Sequence, residues 1–320
     1  MKAESVSDKT AVTNNGAGSN LLLMDDTPSE AVRKILIKNL AYMKAQEQAA
    51  TYDRPVEGVH QMRVATRRMR SAFRVFKSAV PGAYKDDLLP GIRRTAQQLG
   101  AVRDLDVMLI KLRAYQQHRG TLAPEPLLPL RRWFTQQREE RRRELLLWLD
   151  SPEYATFLHR GHDLLRAPLA RNGSPGTSQR VAAIAPALIY GQLAKVKALD
   201  SVIEEGSAEQ IHDLRIECKK LRYTIEHLKD LLGDKIDPLV ASLKVVQDTL
   251  GEYNDHHVML DFIAEAREER VEIPPRHLDD YERHLREDIQ RQREAIPGVW
   301  KDFLTKKNHK ALSKAVGGLV

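Results

Sequence analysis

Apolar residues recur at three- and four-residue spacing over nearly the whole chain from residue 29 onward, the pattern of helices that bury one face. No stretch alternates apolar and polar residues between turn signals, so little or no sheet is expected. The pattern predicts helices over residues 29–52, 56–79, 84–118, 126–149 and 152–166, then over 180–204, 208–232, 236–268, 275–295 and 298–312. Thr27-Pro28-Ser29-Glu30 opens the first with an N-cap, a proline in the first turn and a capping-box glutamate. Ser207 with Gln210 is a second capping box, and Asp237-Pro238 is another cap-and-proline start. Breaks fall at Arg54-Pro55, at Pro81-Gly82 and around Gly120 to Pro126. Residues 167–179, rich in Pro, Gly, Ser and Asn, read as a linker, and residues 1–28 as a disordered polar tail. The expected fold is all-α, with helical units at 29–166 and 180–314.

The two units are copies. EGVHQMRVATRRMRSAFRVFKSAVPG at 57–82 aligns with EQIHDLRIECKKLRYTIEHLKDLLGD at 209–234, which pairs His60 with His212, Arg63 with Arg215 and Arg70 with Arg222. In the next helix Leu99-Gly100 through Asp104 matches Leu250-Gly251 through Asp255 at nearly the same offset. A constant offset marks duplication, here of two four-helix bundles related by a pseudo-twofold axis.

At 100° per residue His60, Arg63, Arg67, Arg70 and Arg74 fall in one sector about 80° wide. Met62, Ala65, Met69, Ala72, Phe73 and Phe76 occupy the opposite side. No acidic residue lies between His60 and Lys77. The second copy keeps the division, with His212, Arg215, Lys219 and Arg222 against Leu214, Leu221, Ile225 and Leu228. Glu226 replaces the last arginine there. Like charges three or four residues apart repel by a few tenths of a kcal/mol, and an extended polyanion would relieve that repulsion. Arginine suits phosphate, because its planar fork binds two oxygens and stays charged. A merely solvated face is the bland alternative, and duplication of the stripe weighs against it. The two histidines either cap backbone groups at their helix starts or donate to phosphate. Tyr223 either adds a phosphate hydrogen bond or packs in the core.

Helical phase adds Lys34, Lys38, Arg93, Arg103 and Lys244 to the candidate basic face. Arg68 and Lys220 point away from it at ideal phase. Gly100 and Gly251 each weaken a helix by about 1 kcal/mol, which a close approach of another group would justify. Asp104 and Asp255 are placed to orient basic side chains or to bond neighbouring helices.

The chain of 320 residues carries 51 basic and 44 acidic residues, a net +7, so the distribution of charge matters more than its sum. A single cysteine, Cys218, excludes a disulfide framework and a Cys-rich zinc site. HExxH is absent, and His256 and His257 diverge on a helix, so no metal site is expected. No apolar run reaches the roughly 18 residues that span a bilayer, and no signal-peptide core appears. A soluble cytoplasmic protein without membrane contact is expected. No Walker A loop, GxSxG elbow, dinucleotide fingerprint or carboxylate pair stands out, so neither an enzyme nor a cofactor is expected.

HQMRVATRRMRSAFRVF at 60–76, LGAVRDLDVM at 99–108, HDLRIECKKLRYTIE at 212–226 and KVVQDTLGEYND at 244–255 resemble the CHAD domain, the conserved histidine α-helical domain. The resemblance covers roughly residues 29–312. It implies two four-helix bundles facing a basic groove that binds long-chain inorganic polyphosphate without catalysis. Phosphate or sulfate would enter such a site too. The family's functional positions fall on His60, Arg63, Arg67, Arg70, His212, Arg215, Lys219 and Arg222. The resemblance also suggests association with polyphosphate granules. The ExExK strand motif of the CYTH domain that some relatives carry is absent, so a CHAD domain standing alone is expected. The competing expectation is a generic polyanion or nucleic-acid binder. Aromatic residues make up only 6 %, and none interleaves the stripe, which disfavours base stacking. An enzyme such as a polyphosphatase would need acidic metal ligands that the stripes lack.

Overall fold

A computed structural model describes residues 21–118, 126–169 and 179–319. Twelve α-helices follow one another among these residues, and no strand occurs. They are α1 (Pro28–Ala45), α2 (Pro55–Val75), α3 (Leu89–His118), α4 (Leu128–Leu149), α5 (Pro152–Arg166) and α6 (Val181–Lys197). The rest are α7 (Val202–Glu205), α8 (Ala208–His227), α9 (Lys229–Leu232), α10 (Asp237–Glu268), α11 (Pro275–Phe303) and α12 (Lys306–Val316). The all-α expectation holds. Most of the expected linker, most of the expected tail and the segment around Gly120 lie outside the described residues.

Both capping boxes form. The Thr27 side chain accepts from the Glu30 amide, and Ser207 accepts from Gln210. Several boundaries differ from the predicted ones, since α2 ends at Val75 and the expected helices over 180–204 and 208–232 are each split in two, and two further differences bear on the packing. α1 stops at Ala45, and a π-helical turn at Ala49–Asp53 leads into α2. α11 runs through Pro297, where a break was expected. A proline inside a helix costs about 3 kcal/mol. Ile296, Trp300 and Phe303 are buried on either side of it, and Trp300 Nε1 donates to Asp200 Oδ1 at 2.6 Å. That anchoring outweighs the lost hydrogen bond, and the helix ends instead at Leu304, before the Thr305 cap of α12.

The last residues of the predicted tail are ordered packing, not disorder. Leu22 is buried, and its amide donates to Asp230 Oδ2 at 3.0 Å. Asp26 accepts the Val181 amide at 2.7 Å through its carbonyl and pairs with Lys34 through its carboxylate at 2.8 Å.

Two apolar cores result. The larger is built from α1, α2 and α3 together with α6, α8 and α10, through residues such as Leu36, Met62, Met69, Leu99, Ile189, Leu214, Leu221 and Leu250. The smaller closes the far ends of the α3–α4 and α10–α11 hairpins. Phe134 and Phe262 pack at 5.7 Å, Tyr115 and Tyr281 at 4.5 Å, and Trp133 Nε1 donates to Glu269 Oε2 at 2.7 Å. Both cores draw on residues before and after the predicted linker, so 29–166 and 180–314 share their interior.

Candidate anion-binding cleft

The apolar sectors of α2 and α8 are buried as predicted, from Met62 to Phe76 and from Leu214 to Leu228. The two helices pack against each other, which turns their basic sectors toward a common space. Each helix entrance is pinned alike. Arg142 of α4 donates to the carbonyls of Ala50 and Thr51 at 3.1 and 2.6 Å. Arg293 of α11 donates to those of Ile203 and Glu204 at 2.9 and 2.8 Å. The duplication therefore reaches beyond the stripes into the contacts that fix them.

A cleft of about 540 Å³ opens where α2, α8 and the start of α3 meet. Arg67, Arg70 and Arg74 reach it from α2, Arg93 from α3, and Lys219 and Lys220 from α8. Lys77 and Lys85 join from the connection between α2 and α3, and no acidic residue lines it. A second cleft of about 450 Å³ adjoins it, sharing Arg70 and Arg93 and adding Arg63, Gly100 and Asp104. From Arg63 to Arg74 the floor spans about 17 Å along the helix axis.

One of the two helix glycines makes room for an arginine. A Cβ on Gly100 would lie 2.7 Å from Arg63 Nη1, so the bare backbone lets the guanidinium cross α3. From there Arg63 Nη2 reaches Asp104 Oδ1 at 3.3 Å. In the second copy Arg215 Nη2 lies 4.0 Å from Asp255 Oδ1, and a Cβ on Gly251 would lie 3.9 Å from its Nε. The expected orienting role of the two aspartates fits this geometry. Crowding by protein atoms pushes the Asp104 pKa up, Arg63 pulls it down, and the nearby Asp255 adds to the rise. The Asp104 side chain keeps 56 % of its surface in solvent, so that shift carries little energy.

Several donors are buried without partners. Nε of Arg67, Arg215 and Arg222 and the Tyr223 hydroxyl make no hydrogen bond among the described residues. Each such group costs about 1–3 kcal/mol. Tyr223 is buried yet touches the cleft, with Arg67 at 5.6 Å and Arg222 at 5.2 Å from its ring centroid. Burial lowers the proton affinity of Arg67, Arg74 and Arg215. It lowers that of Lys219 further, to a pKa of about 7, with Arg215, Arg67 and Arg63 adding to the drop. His60 is pushed down by burial and then by Arg103, and is neutral at neutral pH unless an anion approaches.

The structure thus gathers Arg63, Arg67, Arg70, Arg74, Arg93 and Lys219, with Arg215 beside them. Other candidates sit elsewhere. Lys34 is tied to Asp26 and to the Leu21 carbonyl, where it holds the N-terminal segment. Its helical phase could not reveal that partner. Lys38 and Lys244 are exposed and line neither cleft. Arg222 turns to Glu226 at 3.3 Å. His212 Nδ1 lies 2.5 Å from Asn254 Oδ1, and Arg103 stands beside His60. Lys220 lines the cleft although ideal phase pointed it away, because α2 packs beside α8 and widens the sector that faces the space. Lys77 continues the phase of Arg70 and was legible there, whereas Lys85 arrives by a turn that no periodicity encodes. No group of three or more His, Cys, Asp or Glu residues fit to hold a metal ion occurs among the described residues.

Comparison with known proteins agrees with the resemblance in sequence. Two curated proteins of Mycobacterium tuberculosis, the uncharacterized proteins Rv2226 (strain H37Rv) and MT2285 (strain CDC 1551), are each 27 % identical over 224 residues. The match takes in 65 % of this chain and 41 % of either relative, so the chain spans about two fifths of their length. The crystal structure of the CHAD domain from the plant Ricinus communis superposes with a TM-score of 0.71 at 24 % identity, covering 91 % of this chain and 96 % of that one. PptA from Streptomyces chartreusis gives 0.68 at 14 % identity, covering 86 % and 100 %. These likenesses establish the fold. The CHAD domain family model matches residues 34–264, and the chain belongs to the CHAD domain family.

Proposed function

We propose that the cleft binds long-chain inorganic polyphosphate, and that the protein holds it without chemically altering it. The observation that carries this is a lining of eight basic side chains with no acid. A cleft of that kind is repulsive when empty and is neutralised by a densely charged ligand. The adjoining cleft extends the cationic floor, which suits a linear chain rather than a single phosphate ion. The unpartnered Arg67 Nε and the Tyr223 hydroxyl supply buried donors beside the lining. Membership of a family associated with polyphosphate supports the same ligand. No helix among the described residues is long and apolar enough to cross a membrane, and residence in the cytoplasm, on polyphosphate granules, is part of the proposal.

The test is charge reversal. Arg67→Glu with Arg70→Glu is expected to lower polyphosphate affinity at least about 100-fold, since two cations become anions. Far-ultraviolet circular dichroism should stay that of the parent. Unchanged affinity in a folded double variant would place the site elsewhere.

A further inference from the structure

Lys219 and Lys220 are neighbours in one cleft with different surroundings. Lys220 Nζ is held by Glu217 Oε1 at 2.5 Å. No carboxylate among the described residues lies within ion-pair distance of the Lys219 amine. The charges it feels are Arg67 and Arg63 from α2, Arg215 from its own helix, Asp255 from α10 and Asp104 from α3. Burial, and after it the surplus of cations over acids, lowers the Lys219 pKa to about 7, so the neutral amine is accessible near neutral pH. An ordinary lysine is almost wholly protonated there and is a poor nucleophile. The guanidiniums that lower the proton affinity of Lys219 also gather anions around it. A nucleophile and a means of concentrating an anionic electrophile therefore share one space.

We propose that Lys219 is a self-acylation site for small acyl phosphates, which the arginines of the cleft hold against its amine. The Nζ lone pair attacks the acyl carbon. The N–C bond forms, and the C–O bond to phosphorus-bound oxygen breaks with its electron pair leaving on phosphate. The amine proton passes to that leaving group, giving an amide and hydrogen phosphate. Arg67 and Arg63 stabilise the charge on the departing phosphate. The amide is neutral, so acylation removes a cation from the cleft and weakens its hold on polyanions. The idea rests on the preceding section only in taking the cleft as a site for phosphate groups.

The test treats the full chain with acetyl phosphate and follows each lysine by peptide mass mapping. Lys219 should acetylate at least about tenfold faster than Lys220, Lys77 or Lys85 at pH 7.5, with a rate inflection near pH 7. Arg67→Gln should bring it toward the rate of the others. Acetic anhydride, which carries no phosphate for the arginines to hold, should show weaker preference for Lys219. Acetylation that simply follows exposure, or equal preference with the anhydride, overturns the proposal. Long-chain polyphosphate separates this claim from the previous one. Selective labelling without protection by polyphosphate leaves acylation standing and removes the proposed ligand. Tight polyphosphate binding with unselective labelling removes acylation alone.

Discussion

Lys219 shows how one side chain can be set by its neighbours. In the unfolded chain its amine titrates near the usual lysine value, and in the folded protein near 7. Because the folded value is the lower, the empty cleft excludes a proton that an incoming polyanion would restore. Binding of the proposed ligand is therefore expected to take up a proton above pH 7, and its affinity to fall as pH rises. The expected loss approaches about tenfold per pH unit between pH 7.5 and 9. Lys219→Arg, which stays charged, should flatten that profile, and calorimetric titration in buffers of different ionisation enthalpy should detect the proton in the parent alone. A flat profile in the parent would mean that Lys219 does not meet the ligand.

The helices carry the same logic in their backbones. Gly100 leaves room for Arg63 to cross α3, whereas Gly251 stands an ordinary contact distance from Arg215. Gly100→Ala should gain about 0.5–1 kcal/mol of helix stability, yet push Arg63 off Asp104 and weaken polyphosphate binding several-fold. Gly251→Ala should gain the same stability with binding unchanged. Thermal melts and affinity measured on the two variants check this contrast. Much at this scale was legible in sequence. Periodicity gave the buried and basic faces of α2 and α8, and capping chemistry gave the starts of α1 and α8. The helix through Pro297 was not legible, because the contacts of Ile296, Trp300 and Phe303 that hold it come from distant segments. Arg142 and Arg293 were missed for the same reason. Each lies in a highly charged helix, and its carbonyl partners are about 90 residues away in sequence.

At the scale of the molecule, the basic helices meet because both chain halves build one interior. Phe134 is fully buried against Phe262, at the junction of the α3–α4 and α10–α11 hairpins. Phe134→Ala should cost about 3–5 kcal/mol and lower one cooperative unfolding transition, not the first of two. Two separated calorimetric transitions would show that the halves unfold independently. Sequence divided the chain at residues 167–179 but could not show that the cores on either side merge, since apolar periodicity says which face is buried and not what covers it. It also counted Lys34 with the ligand face, although Asp26 claims it in the fold.

The cleft is expected to select a narrow, flexible, densely charged chain. The most direct measurement is a competition titration at near-physiological salt, in which labelled long-chain polyphosphate is displaced by triphosphate, single-stranded DNA and duplex DNA at matched phosphate concentration. Only unlabelled long-chain polyphosphate is expected to compete well. Equal competition by DNA would rule out selection for polyphosphate and make the cleft a general polyanion surface.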